Sequence, residues 1–166
     1  MIIQGESIKL PDNINTDFII SGRYKFAITD IKELARHIME DIDPNFNSKI
    51  KPGKSVIVAG KNFGMGSSRE QAPLVIKESG IVCVLAKSFA RIFYRNAFNI
   101  GLPLVEVDTD KIDEFDNLAI DLDKGIIKDL TKNRETKIKP LPDFMQKILK
   151  EGGAVNYYRK YGELKV

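Results

Sequence analysis

Two serines and an arginine follow a glycine-rich stretch in the middle of this chain, and these residues are the ones best suited to chemistry. The stretch covers residues 60–73 and reads GKNFGMGSSREQAP. Its glycines permit tight turns and a close approach of the backbone to a ligand. Ser67 and Ser68 precede a predicted helix, whose first N–H groups favour an anion such as a substrate carboxylate or an ionised serine. Arg69 can grip a carboxylate with two parallel hydrogen bonds. The stretch therefore indicates an anion-binding site.

The spacing within this stretch excludes three common active-site motifs. A phosphate-binding Walker loop ends in Gly-Lys-Ser or Gly-Lys-Thr, and a dinucleotide-binding fingerprint would need a third glycine at the position of Arg69. The nucleophile elbow, Gly-x-Ser-x-Gly, is not formed around Ser67 either. Two interpretations remain open: an anion-binding loop, or a structural glycine turn followed by a serine-capped helix.

A second polar segment, residues 12–24, reads DNINTDFIISGRY. Clustered Asn and Asp residues are typical of turns that bond their own backbone, so the residues alone favour a polar loop. Further along the chain, Arg91 and Arg95 are spaced to share one helix face. They could bind substrate, or they could bridge to a partner or to acidic residues, and the structural role is favoured.

The chain contains one cysteine, Cys83, and one histidine, His37. One thiolate cannot hold an iron–sulfur cluster, and one imidazole argues against a protein-only zinc site. Cys83 lies in an apolar stretch and is expected in the core, whereas His37 is expected on a solvated helix face. We therefore predict that this chain binds no metal of its own.

The elements that must position the candidate residues alternate between helix and strand. Helices are predicted over residues 29–40, 69–79, 89–99 and 142–151, and buried strands over 55–59, 81–86 and 102–107. Residues 118–122 and 126–130 are predicted to form a hairpin around a glycine turn. The order predicts an α/β fold, one domain over residues 1–166, with a mainly parallel core and an added antiparallel hairpin.

Composition limits the classes of function that remain. The 166 residues are 43% hydrophobic and 30% charged, which is ordinary for a soluble globular protein. The net charge of +3 comes from scattered Lys and Arg, so nucleic-acid binding has no support, and an anionic small substrate or an acidic partner fits. No apolar run approaches the ~20 residues of a membrane span, and the first residues do not resemble a signal peptide. We expect a cytoplasmic protein.

Four stretches together resemble a known family, the small subunits of isopropylmalate dehydratase and homoaconitase and the related C-terminal domain of aconitase. They are residues 13–17 (NINTD), 60–70 (GKNFGMGSSRE), 86–96 (AKSFARIFYRN) and 99–103 (NIGLP). Their order and spacing match those of the family, and the likeness extends from about Gly5 to Tyr158. The resemblance implies a swivelling β/β/α domain of the aconitase superfamily.

The resemblance also implies a partner and a reaction. The partner is a large subunit that carries a [4Fe–4S] cluster, in a heterodimer or heterotetramer, and no cofactor is bound by this chain. The reaction is the dehydration and rehydration of a small 2-hydroxy di- or tricarboxylate. By motif position, Ser67 would be the catalytic base, Ser68 and Arg69 would hold a substrate carboxylate, and Asp17 would orient groups of the site.

The substrate is the least constrained part of this interpretation. Related enzymes vary with substrate in the loop after Asp17, so Arg23, Tyr24, Lys25 and Phe26 are candidate substrate-binding residues. Phe26 could face an isopropyl group, whereas Lys25 could reach a third carboxylate. We predict interconversion of 2- and 3-isopropylmalate in leucine biosynthesis.

Two alternatives to isopropylmalate turnover stay open. One is a small subunit of homoaconitase or of a citraconate or dimethylmalate hydratase, which would suit Gln71, since many isopropylmalate enzymes have His there. The other is a non-catalytic anion-binding module that reuses the fold.

Overall fold

A seven-stranded sheet organises the chain, and the computed structural model describes it over residues 1–163. The strands are β1 (Ile2–Lys9), β2 (Ser55–Val58), β3 (Ile81–Ala86), β4 (Leu104–Glu106), β5 (Asn117–Asp121), β6 (Ile126–Asp129) and β7 (Arg134–Lys137). Their order across the sheet is β4-β3-β2-β1-β5-β6-β7. Residues 164–166, the end of the range expected to form one domain, lie outside the described residues.

The sheet is parallel on one side of β1 and antiparallel on the other. β1 pairs with β2, β2 with β3 and β3 with β4 in parallel. β1 pairs with β5, β5 with β6 and β6 with β7 in antiparallel fashion. The predicted α/β class, with parallel strands and an added hairpin, is confirmed. The sequence pattern did not predict β1 and β7, which join the two parts and enlarge the antiparallel one.

Eight helices connect and cover the strands in residues 1–163. They are α1 (Thr16–Ile19), α2 (Gly22–Lys25), α3 (Ile31–Ala35), α4 (Phe46–Lys49), α5 (Gln71–Glu78), α6 (Arg91–Asn99), α7 (Asp143–Lys150) and α8 (Ala154–Tyr161). No helix in this described range is long and apolar enough to cross a membrane.

Two apolar cores lie on opposite faces of the sheet, because successive side chains of a strand point to opposite sides. In β2, Ile57 packs with the helices α1, α3, α5 and α6, whereas Val56 and Val58 pack into the second core, which α7 covers. In β3, Val84 belongs to the first core and Cys83 to the second. Every residue of β2 is buried, as expected for parallel strands covered on both faces.

The predicted helix over residues 29–40 is wrong in its second half. It begins as expected, because Asp30 caps it by accepting hydrogen bonds from the N–H groups of Lys32 and Glu33. α3 then ends at Ala35, and turns follow as far as Ile42. Met39 adopts a left-handed φ of +57° and donates its N–H to the carbonyl of Ile19, 3.0 Å away. This contact with the end of α1 replaces the last turns of the expected helix.

Candidate active site

Loops that follow three parallel strands meet at one edge of the sheet. The carboxyl ends of β1, β2 and β3 lie there, and ligands of α/β proteins commonly bind at such an edge. Two isolated parallel bridges join the loops, one between Asn15 and Met65 and one between Phe63 and Phe89. The structure therefore places residues 12–17 beside the glycine-rich stretch.

Two glycines allow this close packing. Gly64 has a φ of +80°, and a Cβ added there would overlap the ring of Phe93 and lie 2.6 Å from Phe93 Cβ. Gly66 has a φ of +99°, and its added Cβ would lie 2.5 Å from the side-chain oxygen of Asn15. Only a residue without a side chain fits at either position.

Thr16 holds Ser67 in place, and sequence reasoning missed it. The N–H of Thr16 donates to the Met65 carbonyl at 2.8 Å. Its hydroxyl donates to the Ser67 carbonyl at 3.1 Å and lies 3.5 Å from the Ser67 hydroxyl oxygen. Thr16 is buried, at 1% exposure, so the pair is shielded on that side. Thr16 is the middle residue of the Asn-Thr-Asp motif, in which the family resemblance assigns a role only to Asp17.

Ser67 and Ser68 are exposed, and neither caps a helix. α5 begins at Gln71, and its N-cap is Glu70, which makes no side-chain capping bond. The alternative of a serine-capped helix is therefore wrong. Within residues 1–163 the Ser68 hydroxyl has no hydrogen-bond partner, whereas the Ser67 carbonyl accepts from the N–H of Arg69 at 2.8 Å. Both hydroxyls are exposed to a ligand, and that of Ser67 also has its 3.5 Å contact with Thr16.

Arg69 is paired with Asp17 but not fully satisfied. Nη1 of Arg69 lies 2.5 Å from Oδ1 of Asp17, an ion pair that joins the two motifs. The same nitrogen is buried and has no acceptor in hydrogen-bonding alignment within the described residues. The Arg69 side chain is 23% exposed, so its other N–H groups are the donors that could meet an incoming carboxylate.

A cavity of about 360 Å³ opens beside these groups. It is lined by Thr16, Gly64, Gly66, Ser67, Ser68, Arg69, Ala90, Arg91, Ile92, Phe93 and Asn96. A larger cavity of about 520 Å³ lies next to it, with Arg91 in both walls and Arg95 only in the larger one. The smaller cavity is the candidate site, because it brings together Ser67, Ser68 and Arg69, the residues that the motif singles out.

The candidate residues of the 23–26 loop have different surroundings in the structure. Burial and the charge of Arg69 lower the pKa of Lys25, while Asp17 opposes them, and Lys25 is not among the residues that line the cavity. Arg23 instead pairs with Asp41, with Nη2 2.5 Å from Oδ1. Phe26 is 80% exposed.

Tyr24 packs against His37, the only histidine in the sequence. The rings of Tyr24 and His37 are stacked, with centroids 3.8 Å apart and planes within 10°. His37 Nδ1 also lies 2.8 Å from Oε1 of Glu40. The expectation of a solvated His37 is therefore wrong, because the ring is half-buried between these partners.

The residues of this chain do not fit an iron–sulfur cluster. Cys83 is fully buried in β3, and burial raises the pKa of its thiol to about 12. This confirms its place in the core and leaves it unsuited to be a thiolate ligand. No group of three or more His, Cys, Asp or Glu side chains in residues 1–163 could hold a metal ion.

Comparison with known proteins shows the family to which this chain belongs. A family model described as the aconitase C-terminal domain matches residues 16–109. The 3-isopropylmalate dehydratase small subunit 2 of Archaeoglobus fulgidus is 54% identical over 166 residues, covering 100% of both chains. The chain belongs to the 3-isopropylmalate dehydratase small-subunit family.

Further relatives agree with this membership in the 3-isopropylmalate dehydratase small-subunit family. The small subunit from Caldicellulosiruptor saccharolyticus is 55% identical, covering 99% of this chain and 94% of the relative. A crystal structure of 3-isopropylmalate dehydratase from Methanocaldococcus jannaschii is 51% identical, with a TM-score of 0.91 over 98% of this chain and 96% of that one. Membership makes the chain a subunit of a hydro-lyase of the aconitase superfamily, and the word small in these names implies a large partner.

Proposed function

We propose that this chain, as one domain over residues 1–166, supplies the serine base of a 3-isopropylmalate dehydratase. With a large subunit it would interconvert 2- and 3-isopropylmalate by dehydration and rehydration, a step of leucine biosynthesis. The observation that carries the proposal is the exposed Ser67 hydroxyl, which lies between Thr16 and Arg69 at a cavity of about 360 Å³. The full-length likeness to small subunits of this enzyme supports the choice of reaction.

Ser67 would remove the proton from the carbon next to a substrate carboxylate and return it during rehydration. A serine alkoxide needs nearby donors, because its ordinary pKa is far above neutrality. Thr16 has one hydroxyl proton, which points to the Ser67 carbonyl in this state and can turn to the alkoxide oxygen 3.5 Å away. One donor aimed at a developing oxyanion typically contributes about 10²–10³-fold to a rate. The positive charge of Arg69 adds to the same effect.

Arg69 and Ser68 would hold the substrate carboxylate adjacent to the reacting carbon. The Arg69 side chain is 23% exposed, so donors other than the nitrogen that faces Asp17 can reach a ligand, and the Ser68 hydroxyl is exposed. Asp17, at 2.5 Å from Arg69, would keep the guanidinium in place without filling its second donor edge. Two parallel hydrogen bonds from arginine fix the plane of a carboxylate and so the direction of the adjacent C–H bond.

The large subunit would complete the site. Its [4Fe–4S] cluster supplies a Lewis acid for the substrate hydroxyl. On this chain the two serines are exposed, so a covering partner surface is also needed to exclude water from Ser67.

The position of Lys25 favours a second candidate, a homoaconitase small subunit. A tricarboxylate has one more anionic group than isopropylmalate, and Lys25 lies close enough to Arg69 for their charges to interact. Phe26, the residue suited to an isopropyl group, is 80% exposed. The two substrates therefore differ in charge at their variable arm, and the residues that face this arm would distinguish them.

The test is production of the chain with its large subunit under anaerobic conditions, followed by assays with isopropylmalate and homoaconitate. We expect isopropylmalate turnover that Ser67→Ala lowers by about 10²–10⁴-fold, with assembly and cluster content unchanged. Ser48→Ala, on the exposed side of α4, is the matched control and should retain full activity. Near-normal turnover by Ser67→Ala would refute the serine base, and a preference for homoaconitate would replace the substrate.

A further inference from the structure

The larger cavity lies at the same edge of the sheet as the Ser67 site, and the proposed reaction does not use it. It encloses about 520 Å³ between β4, the first half of α6 and the segment 139–142 that precedes α7. β4 lies beside β3 in the sheet, so the cavity continues the row of loops that carries the serines. Its lining therefore shows what else this edge of the molecule could bind.

The charged side chains of the cavity are not balanced. Arg91, Arg95 and Lys139 line it, against one carboxylate, that of Glu106. None of the three cations forms an ion pair within residues 1–163, and all three are exposed. A small anion would meet them in water, where such attractions are screened and weak. An acidic ligand that also covers the cavity would exclude this water and be attracted more strongly.

The floor of the cavity is apolar and contains one tyrosine. Leu104 and Val105 are 5% and 4% exposed, and the ring of Tyr94 packs on that of Phe89 with centroids 5.9 Å apart. In residues 1–163 the Tyr94 hydroxyl has no hydrogen-bond partner. Burial and the charge of Glu106 raise the pKa of Tyr94, so this hydroxyl stays a donor at neutral pH. Tyrosine and arginine around an apolar floor are typical of the core of a protein–protein interface.

The strand that borders the cavity is an edge strand. Among residues 1–163, β4 has a strand neighbour on one side only, which is β3. An edge strand offers N–H and C=O groups to which an extended segment of another chain can bond. Because Leu104–Glu106 lines the cavity, such a segment would meet both this backbone edge and the arginines. A peptide segment therefore fits the cavity better than a small molecule does.

We propose that this cavity binds an acidic, extended segment of the large subunit. The large subunit is the partner that the names of the relatives imply, and the exposed serines at the same edge need a covering surface. Arg91 lies in the walls of both cavities, so a segment that held its guanidinium would also fix one wall of the Ser67 cavity. This inference rests on the proposed function for the identity of the partner, and it does not depend on the serine base.

The affinity between the two subunits tests the inference. The small chain, labelled with a fluorophore, is titrated anaerobically with the large subunit, and the dissociation constant and association rate are measured. We expect Arg95→Glu to raise the dissociation constant by at least about 30-fold, because a like charge would then face the acidic segment. At saturating large subunit, kcat should stay within about twofold of the wild type, since Arg95 does not line the Ser67 cavity. Added salt should slow association of the wild type more than that of Arg95→Glu.

Arg134→Glu is the matched control for Arg95→Glu. Arg134 is exposed on β7, at the other end of the sheet, and makes no ion pair within residues 1–163. The same change of charge there should alter the dissociation constant by less than about threefold. Lys139→Glu, on the opposite wall of the cavity, should raise it by about tenfold. If Arg95→Glu proves unstable in thermal unfolding, Arg95→Gln replaces it and should raise the constant by about fivefold.

Three results would overturn the inference. The first is an unchanged dissociation constant in the Arg95 and Lys139 variants, whether or not kcat falls, because a fall in kcat alone would assign the cavity to a small ligand. The second is equal weakening by Arg134→Glu, which would assign the effect to the total charge of the chain. The third is altered self-association of the isolated chain in sedimentation velocity with unchanged affinity for the large subunit, because a second copy would then fill the cavity. Failure of the proposed function looks different, since Ser67→Ala would keep its turnover while the affinity still responded to Arg95→Glu.

Discussion

The parallel and the antiparallel parts of the sheet differ in how tightly their side chains are enclosed. All four residues of β2 are buried, and β3 has only one residue that is partly exposed. By contrast, all four residues of β7 are exposed, and β5 and β6 alternate. The candidate site lies at the carboxyl ends of the enclosed strands. Its loops therefore start from backbone positions that packing on both faces determines.

The two parts also differ in how their polar side chains are paired. In the antiparallel part Lys132 pairs with Asp113 at 2.6 Å and with Asp116 at 2.7 Å, so its charge is matched within the chain. In the site a buried nitrogen of Arg69 has no aligned acceptor, and the serine hydroxyls are exposed. The enclosed part thus leaves its serine hydroxyls exposed at the cavity, whereas the antiparallel part pairs Lys132 within the chain, and in residues 1–163 each part holds one buried polar atom without an aligned partner, at Arg69 and at Asp129. Substitutions in each part should separate activity from stability.

The largest effect is expected at Gly64. Gly64→Ala combines a φ of +80° with overlap against Phe93, so we expect a loss of at least about 3 kcal/mol of folding free energy. Gly53→Ala is the control, because Gly53 has a φ of +76° but open space around an added Cβ. It should lose only about 1–2 kcal/mol. Chemical denaturation measures both, and equal losses would show that the contact with Phe93 is not limiting.

The sequence predicts the structure best where the local pattern of residues determines an element, and least where contacts between distant residues determine it. The apolar, partly β-branched run at 81–86 predicts β3 at its observed bounds, because all but one of its residues are buried. The contact between Thr16 and Ser67 joins residues 51 positions apart, and no local pattern encodes it. The early end of α3 depends likewise on the contact of Met39 with Ile19. The roles of Ser67, Ser68 and Asp17 remain predictions from their motifs, now with a geometry that can be tested.

Arg69→Lys should affect the site without affecting the scaffold. Lysine keeps the positive charge but loses the planar pair of donors, so we expect kcat/KM to fall by about 10–100-fold. The melting temperature should change by less than about 2 °C, because the guanidinium packs in a loop and not in either core. Steady-state kinetics with isopropylmalate in the assembled enzyme gives the first quantity and thermal unfolding the second. Unchanged kinetics would remove Arg69 from the substrate contacts.

Asp116→Asn should do the reverse, lowering stability and leaving kcat unchanged. Burial raises the pKa of Asp116, but Lys132 and the Asp113 N–H outweigh burial and lower it below its ordinary 3.8. Its contribution is therefore present above pH 4 and is lost as pH falls through the lowered pKa. We expect a loss of about 2 kcal/mol at pH 7 that shrinks in acid. Urea titrations from pH 7 to pH 2 measure it, and a loss independent of pH would assign the effect to packing.

The smallest effect is expected at Thr136, on the edge strand β7. Its side chain is exposed and lies opposite Ile127 in the register, so Thr136→Ala removes little buried surface. Threonine favours strands slightly over alanine, and at an exposed edge this preference should change the free energy of unfolding by less than about 0.5 kcal/mol.

Ile57→Ala, on the fully buried β2, is the comparison and should cost about 2–5 kcal/mol, because it leaves a cavity that both neighbouring strands enclose. Both values come from the same urea titrations, and KM for isopropylmalate should match the wild type in Thr136→Ala. A change in KM there would connect the antiparallel edge to the site, and the division between a rigid catalytic part and a tolerant part would no longer hold.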